Sequence, residues 1–416
     1  MSSTPFGAAG SLAGLRVIEI GTSIAAPMAA QILGDLGAEV VKIEQVERGD
    51  DSRRWMPPEW NGVSVAFLSV NRNKKSVALN FKTERGRSIL ERLITSADVL
   101  VQNLRPNALA SAGFTSARIE ALNPRLVHCD ITGFGAKGPR AGEPAYDPLL
   151  QAYSGMVSMT GEEGGAPVRV PVSLLDAGTA MWTALAVYEG LRRRDATGRG
   201  VHVEVSLLQT ALSWLSALFM SVLAGNGVPG RMGSGLPGVV PYGAFPTSDG
   251  HVFISAGNDS LWHRLCDAVD GADLEADERF ASNVARVRWR DEVVEALGRH
   301  TSTFDTATLV RRLREVGVPC SPVNTLDAVL ADEQVQATGM ITPLPHDRIE
   351  DLSVFNLPMT FDGEYLTHRG APPELGADTV SVLESLGFER AEIVELERDG
   401  VVGSPKTPTV AVESDR

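Results

Sequence analysis

Apolar and polar positions in the first half of the chain switch repeatedly between two periods. The near-continuous apolar run LRVIEI, Leu15 to Ile20, predicts a buried strand. A helix follows from about Pro27 to Leu36, then a second strand in AEVVKIE, ending at Glu44. Pro27 suits a first helical turn, where its missing N–H has no intrahelical partner to lose, and Gly37 suits the stop. SVALNF, Ser76 to Phe81, predicts a third strand. The helix after it, from about Glu84 to Ser96, puts Ile89, Leu90, Leu93 and Ile94 on one face. DVLVQN, Asp98 to Asn103, and RLVHCDI, Arg125 to Ile131, predict two more strands. Apolar strands separated by helices imply a parallel sheet covered on both faces, so the predicted fold class is α/β.

From Asp176 to about Arg194, Ala177, Ala180, Met181, Ala184, Leu185, Tyr188 and Leu191 recur at helical spacing before TGRG breaks the pattern. VHVEVS, Val201 to Ser206, reads as a strand and the residues to Ala224 as a buried helix. In GNGVPGRMGSGLPG, glycines and prolines outside any periodic pattern mark a boundary. A second body begins there, runs through the strand HVFISA and helices near Trp262 and Val293, and closes near GVPCSPVN. The expected division is therefore a large domain over 1–205, a linking helix over 206–226, a small α/β domain over 227–324 and a carboxyl-terminal segment over 325–416. Its last stretch, PKTPTVAVESDR, has too few apolar side chains to pack and is expected to be a loose tail.

With 43% hydrophobic and 22% charged residues among 416, the composition excludes wholesale disorder and fibrous repeats. A net charge of −14 opposes loose association with nucleic acid or anionic membrane, so an anionic ligand needs a local cationic patch. Cys129, Cys266 and Cys320 are far apart and form no zinc-type spacing with histidine, which predicts a reduced, cytoplasmic setting. No run of 18 apolar residues occurs, and the amino terminus lacks a basic stretch followed by an apolar core, so neither membrane spanning nor secretion is expected. The histidines are scattered without H-x-x-x-H spacing. His128, within a strand, is read as packed or hydrogen-bonded, and no metal site is expected.

Three constellations bear on chemistry. GTSIAA, Gly21 to Ala26, follows the first strand with only the first glycine of a dinucleotide-binding turn. Glu44 ends the second strand where a ribose-binding acid would stand, which keeps a nicotinamide dehydrogenase open. Arg72, Lys74, Lys75, Lys82 and Arg105 put cations beside the ends or approaches of adjacent strands, as an anion site or as a solvated surface cluster. Asp176 stands where the long helix begins. It is either a cap for the orphan amides or, held ionised by those amides, a carboxylate nucleophile toward an acyl group. Thr179 three residues on is not the Glu or Gln of a capping box.

The blocks LAGLRVIEIG, AAPMAAQILGDLGAEVVKIE, NRNKKSVALNFK, VQNLRP, TGFGAKGP, AYDPLLQAYSG and LLDAGTAMWTALAVYEGLRRRDATGRG, in this order, resemble the family III CoA-transferases, the superfamily of formyl-CoA transferase and carnitine CoA-transferase. The likeness continues through PYGAFPTSDGHVFISAGND, GVPCSPVNT and APPELGADT, covering the chain from Leu12 to about Leu386. It implies a Rossmann-like large domain, a smaller domain, a carboxyl-terminal segment that returns to the large one, and two chains interlinked like rings in an obligate homodimer. By the same resemblance Asp176 is the nucleophile that carries the acyl group as an anhydride and CoA as an aspartyl thioester. Coenzyme A enters as part of the substrate, with no tightly bound cofactor.

The matching motifs assign Leu79 and Lys82 to a CoA-binding strand, with Lys82 toward phosphate, and Asn103, Leu104 and Arg105 to the next turn. Ile24 and Ala25 are expected to line the pantetheine path, Tyr146 and Asp147 to lie beside the thiol, and the amides of Gly233 to Gly238 to face developing charge on the acyl oxygen. Departures from the formyl-CoA transferase pattern are Ile24 for glutamine and Gln45 and Ser111 for arginines, which point away from formyl and oxalyl groups toward a bulkier or less polar one. Acyl-CoA racemases of the same superfamily place a histidine where this chain has Tyr146, and a neutral phenol is a poor base near pH 7. A CoA-binding protein without catalysis corresponds to Asp176 acting only as a cap.

Overall fold

In the computed structural model, which describes residues 10–105 and 107–405, six parallel strands form the main sheet. They are β1 (Arg16–Ile20), β2 (Glu39–Glu44), β3 (Lys74–Leu79), β4 (Val99–Gln102), β5 (Val127–Thr132) and β6 (Val201–Ser206). Their order is β3-β2-β1-β4-β5-β6, and β7 (Val402–Gly403) adds an antiparallel edge on β3. The order reverses between β1 and β4, the place at which open α/β sheets leave a crevice outside the carboxyl ends of the strands.

The helices that matter here are α1 (Ala25–Asp35), α2 (Glu84–Thr95), α3 (Asp147–Tyr153), α4 (Leu174–Thr197), α5 (Leu207–Trp214), α6 (Thr379–Ser385) and α7 (Arg390–Arg398). On one face Ile18, Ile20, Val41, Ile43, Val77 and Leu79 pack with Ile89, Leu90, Leu93 and Ile94 of α2, Val382 and Leu383 of α6, and Ile393 and Leu396 of α7. α1 packs against α4, which also touches α3, α5, β5 and β6. Thr83 caps α2 by accepting a hydrogen bond from the Gly86 amide at 3.0 Å.

Two compact units divide the chain. The first holds the described parts of Met1–Ser154, Pro171–Ser216 and Gly339–Arg416, the second Gly155–Val170 and Ala217–Thr338. The second unit carries an antiparallel sheet of Tyr242–Pro246, His251–Ser255 and Cys320–Pro322 around a core with Trp262, Phe280 and Leu297. Gly155–Val170, expected within the large domain, groups with the second unit because Gly161 accepts the Gly233 amide at 2.9 Å. The helix expected to run unbroken to Ala224 divides at Leu215 into α5 and Ser216–Leu223, and the unit boundary falls just after Ser216. Apart from Pro405, the expected loose tail lies outside the described residues.

Candidate active site

A buried charge network underlies the crevice at β1 and β4. Lys42 on β2 contacts Glu19 at 2.6 Å and Asp50 at 2.7 Å, and Lys74 on β3 contacts the other Glu19 oxygen at 2.7 Å, all four side chains being fully enclosed. Lys42 also donates to the Gly21 carbonyl, and Asp50 accepts from the Ser23 amide at 3.0 Å. Ser23 is held at φ 71°, in the left-handed region, so these two groups shape the first turn from below. Asn103 locks it from the side. Its carboxamide oxygen accepts from Thr22 N and its amide donates to Thr22 O, each at 2.9 Å.

The expected CoA contacts divide along the carboxyl edge. Ile24 is the partly buried residue before α1, and Ala25 is buried as its first residue. Leu104 is partly buried against the α2 core, while Arg105 and Lys82 are exposed, with no ion-pair partner among the described residues. β3 and β4 stand three strand spacings apart, so these two cations flank the crevice at roughly 14 Å, at about 4.8 Å per strand. The side chain of Leu79 is 1% exposed inside the core beside Val402 of β7, so only its backbone is left to meet a ligand. Gln45 and Ser111 are exposed.

Three of the cations read as a possible anion patch are otherwise engaged. Arg72 grips Asp35 through Nε at 3.0 Å and Nη2 at 2.5 Å, Lys74 belongs to the network above, and Lys75 pairs with Glu39 at 2.7 Å. All three stand at the start of β3, and only Lys74 reaches under the first turn, where Glu19 takes its charge. Glu44 is likewise no ribose acid. Its carboxylate is buried against Arg53 at 2.8 Å and Ser76 at 2.6 Å. Although burial works to raise its pKa, the Arg53 guanidinium holds it below the usual carboxylate range.

Asp176 lies in the first turn of α4 and does not cap it. The cap comes from buried Asp147 at the start of α3, whose Oδ2 accepts from Leu175 N at 2.6 Å and Asp176 N at 3.0 Å. Gln151 donates to its Oδ1 at 2.5 Å. Asp147 thus anchors the start of α4. Tyr146, just before α3, is exposed. The signal for the cap is the Asp-Pro pair that opens α3, but nothing in the linear order shows that it serves another helix.

With the nearby amides committed to Asp147, the Asp176 carboxyl has no hydrogen-bond partner among the described residues. Burial and then the Asp147 charge push its pKa up to about 7, so the helix end does not hold it ionised as expected. One turn on, a Cβ at Gly178 would stand 2.3 Å from the Trp214 ring of α5, and Thr179 bonds Thr210 hydroxyl to hydroxyl at 2.9 Å. These contacts fix the first turns of α4 against α5. In the second unit the Gly233 and Gly235 amides donate to Gly161 and Met232 carbonyls, so neither is free to face an acyl oxygen.

The described residues thus hold a parallel sheet whose order reverses between β1 and β4, exposed cations after β3 and β4, and an Asp176 carboxyl free of capping. Residues 12–379 match the model of CoA-transferase family III, and the chain belongs to that family as a CoA-transferase. It is 34% identical over 397 residues to succinyl-CoA:glutarate CoA-transferase of Mus musculus, covering 95% of this chain and 91% of the mouse protein. It is also 34% identical to succinate–glutarate CoA-transferase of Agrobacterium fabrum, covering 90% and 95%. A solved CAIB/BAIF family protein from Brucella suis superposes with TM-score 0.84 at 33% identity, covering 91% of this chain and 99% of that one.

Proposed function

We propose that this enzyme moves CoA from a succinyl-CoA-type thioester to a free dicarboxylic acid of the glutarate type, with Asp176 as the covalent carrier. The observation that carries the reading is the Asp176 carboxyl, released from capping by Asp147 and poised to ionise near neutrality. The names of the two 34% identical relatives support the substrate class. A four- or five-carbon diacid also suits apolar Ile24, which offers its methylene chain a neighbour that a formyl group would not use.

The Asp176 carboxylate attacks the thioester carbon, and the C–S bond breaks to release CoA thiolate and leave an acyl–aspartyl anhydride. The thiolate then attacks Cγ of Asp176, expelling the donor carboxylate and forming an aspartyl-CoA thioester. The acceptor carboxylate displaces the thiolate at Cγ, and the thiolate takes the acceptor's acyl carbon, restoring Asp176. Each step exchanges one acyl bond for another, and the covalent stages divide one difficult transfer into easier ones.

In this reading Lys82 and Arg105 hold the CoA phosphates, Ile24, Ala25, Asn103 and Leu104 border the pantetheine arm, Leu79 contributes backbone alone, and Tyr146 lies toward the thiol. CoA is consumed and returned as substrate, and no tightly bound cofactor is involved. The protein works as an interlinked homodimer in the cytoplasm. Exposed Met181, Trp182 and Leu185 on α4 with Leu212 and Trp214 on α5 supply an apolar face for the second chain. No helix among the described residues is long and apolar enough to cross a membrane.

The test is exchange: incubation of succinyl-CoA with labelled glutarate, read by mass spectrometry as glutaryl-CoA. Expected is exchange by the wild type and loss of at least about a thousandfold in Asp176→Ala, as for removal of a covalent nucleophile. Exchange undiminished in Asp176→Ala overturns the reading.

A further inference from the structure

Beside the end of β4, on β5 and β6, lie side chains to which the proposed transfer assigns no step; Gln102 links them to the turn after β4 by accepting the Leu104 amide at 2.8 Å. Parallel register pairs His128 with His202 and Gln102 with Asp130, which puts all four on one sheet face, since paired residues and residues two apart point the same way. The His202 Nε2 lies 2.8 Å from Asp130 Oδ2 and the His128 Nε2 2.9 Å from Oδ1. The two rings stack at 4.8 Å between centroids with 24° between planes. One donor atom from each residue lies within 4.8 Å of the other two.

The His128 contact is close, yet misaligned for hydrogen bonding, so this buried nitrogen has no hydrogen-bond partner among the described residues. A buried polar atom left this way costs free energy unless something else satisfies it. Gln102 donates to Asp130 Oδ1 at 2.7 Å and fixes the carboxylate between the rings, the kind of outer support that orients metal ligands. His202 is 38% exposed at its side chain and leaves a way in from solvent, whereas His128 is 8% exposed.

We propose that His128 Nε2, His202 Nε2 and an Asp130 carboxylate oxygen bind a divalent transition-metal ion of the zinc type, with water completing the coordination. Two imidazoles and one carboxylate select zinc, cobalt or nickel over calcium and magnesium, which want all-oxygen shells. Metal–ligand bonds of about 2.0 to 2.1 Å in tetrahedral array put donor atoms about 3.3 Å apart. The nitrogen–oxygen distances here widen to that by small side-chain rotations. Linear spacing is blind to such a site, because its ligands come from two strands whose residues His202 and Asp130 are 72 positions apart. The ion would clip edge strand β6 to β5. β6 leads directly into α5, whose Trp214 rests on Gly178, so the clip would steady the support of Asp176 without touching substrate.

The test uses the full-length protein stripped with chelator and titrated calorimetrically with Zn²⁺, then with Co²⁺ followed by visible absorption. Expected are one equivalent per chain, a raised unfolding temperature with Zn²⁺, and cobalt bands of a low-symmetry site. His202→Ala, at an exposed position that keeps the fold, is expected to lose affinity at least about a hundredfold and abolish the bands. Gln102→Leu is expected to lose about ten- to a hundredfold. His251→Ala, in the second unit, is expected to bind as the wild type. No stoichiometric uptake at micromolar Zn²⁺, or uptake and bands unchanged in His202→Ala, overturns the proposal and leaves the trio a charge cluster.

Discussion

At Asp176 two effects act in the same direction. Removal from water penalises the charged form, and the Asp147 carboxylate below the helix end penalises it again, so the pKa rises to about 7. A carboxylate of that basicity is a better nucleophile than an ordinary aspartate, and in the proposed cycle only the deprotonated form attacks. Because the active form is the one gained as protons leave, kcat/KM for the acyl-CoA is expected to rise about tenfold per pH unit below 7 and to level above it. Asp147→Asn keeps an oxygen to accept the Leu175 and Asp176 amides but removes the charge. Its rising limb is expected to move about one pH unit lower in the same rate profile, the scale of a like charge at close range. A limb that stays in place would show that Asp147 acts only as a cap.

Among the elements, α4 and α5 hold Asp176 in position through a contact that tolerates no added bulk. A Cβ on Gly178 would penetrate the Trp214 ring and approach Thr210 to 3.0 Å. Gly178→Val is therefore expected to destabilise the fold by about 1 to 3 kcal/mol, as overpacking does, and to lower turnover as the first turn shifts. Chemical denaturation and exchange kinetics check the two effects separately, and a variant as stable and active as the wild type would show that α4 and α5 have slack. The middle of the sheet is secured differently, by enclosed charges. Lys42 binds Glu19 and Asp50 and braces the turn before α1, so losing one partner would strand the others in an enclosed site. Apolar periodicity reveals β1 to β6 and α2 readily, because each buries one repeating set of side chains. It is silent on this network: Glu19, Lys42 and Asp50 read as ordinary charged residues until the fold encloses them. The same holds for Arg72 and Lys75, which read as either an anion site or a solvated cluster and whose partners Asp35 and Glu39 are legible only in three dimensions.

On the scale of the whole molecule, the reversal of strand order assembles the crevice from turns far apart in sequence, Gly21 to Ile24 after β1 and Asn103 to Arg105 after β4. The motif order made these turns legible as a set, and the α/β class followed from the strand and helix pattern. Less legible were the removal of Leu79 into the core, where β7 covers it, and the grouping of Gly155–Val170 with the second unit. Both depend on pairings across long stretches of chain. The apolar face formed by Met181, Trp182, Leu185, Leu212 and Trp214 is too large a concentration of exposed apolar side chains to leave in water. If the proposed interlinked homodimer holds, light scattering on the purified protein is expected to give twice the 44.3 kDa chain mass at all concentrations down to nanomolar, because rings linked in that way separate only by unfolding. A folded monomer on dilution would contradict the interlinked arrangement.

Everything in the proposed cycle passes through one bond, between the Asp176 carboxyl carbon and the sulfur of CoA. The direct measurement is mass spectrometry of proteolytic peptides after brief incubation with succinyl-CoA and rapid acid quenching. Expected is a CoA-mass adduct on the peptide containing Asp176, removed by hydroxylamine and absent from Asp176→Asn. Full transfer activity with the adduct on another residue, or with none formed under single-turnover conditions, would contradict it.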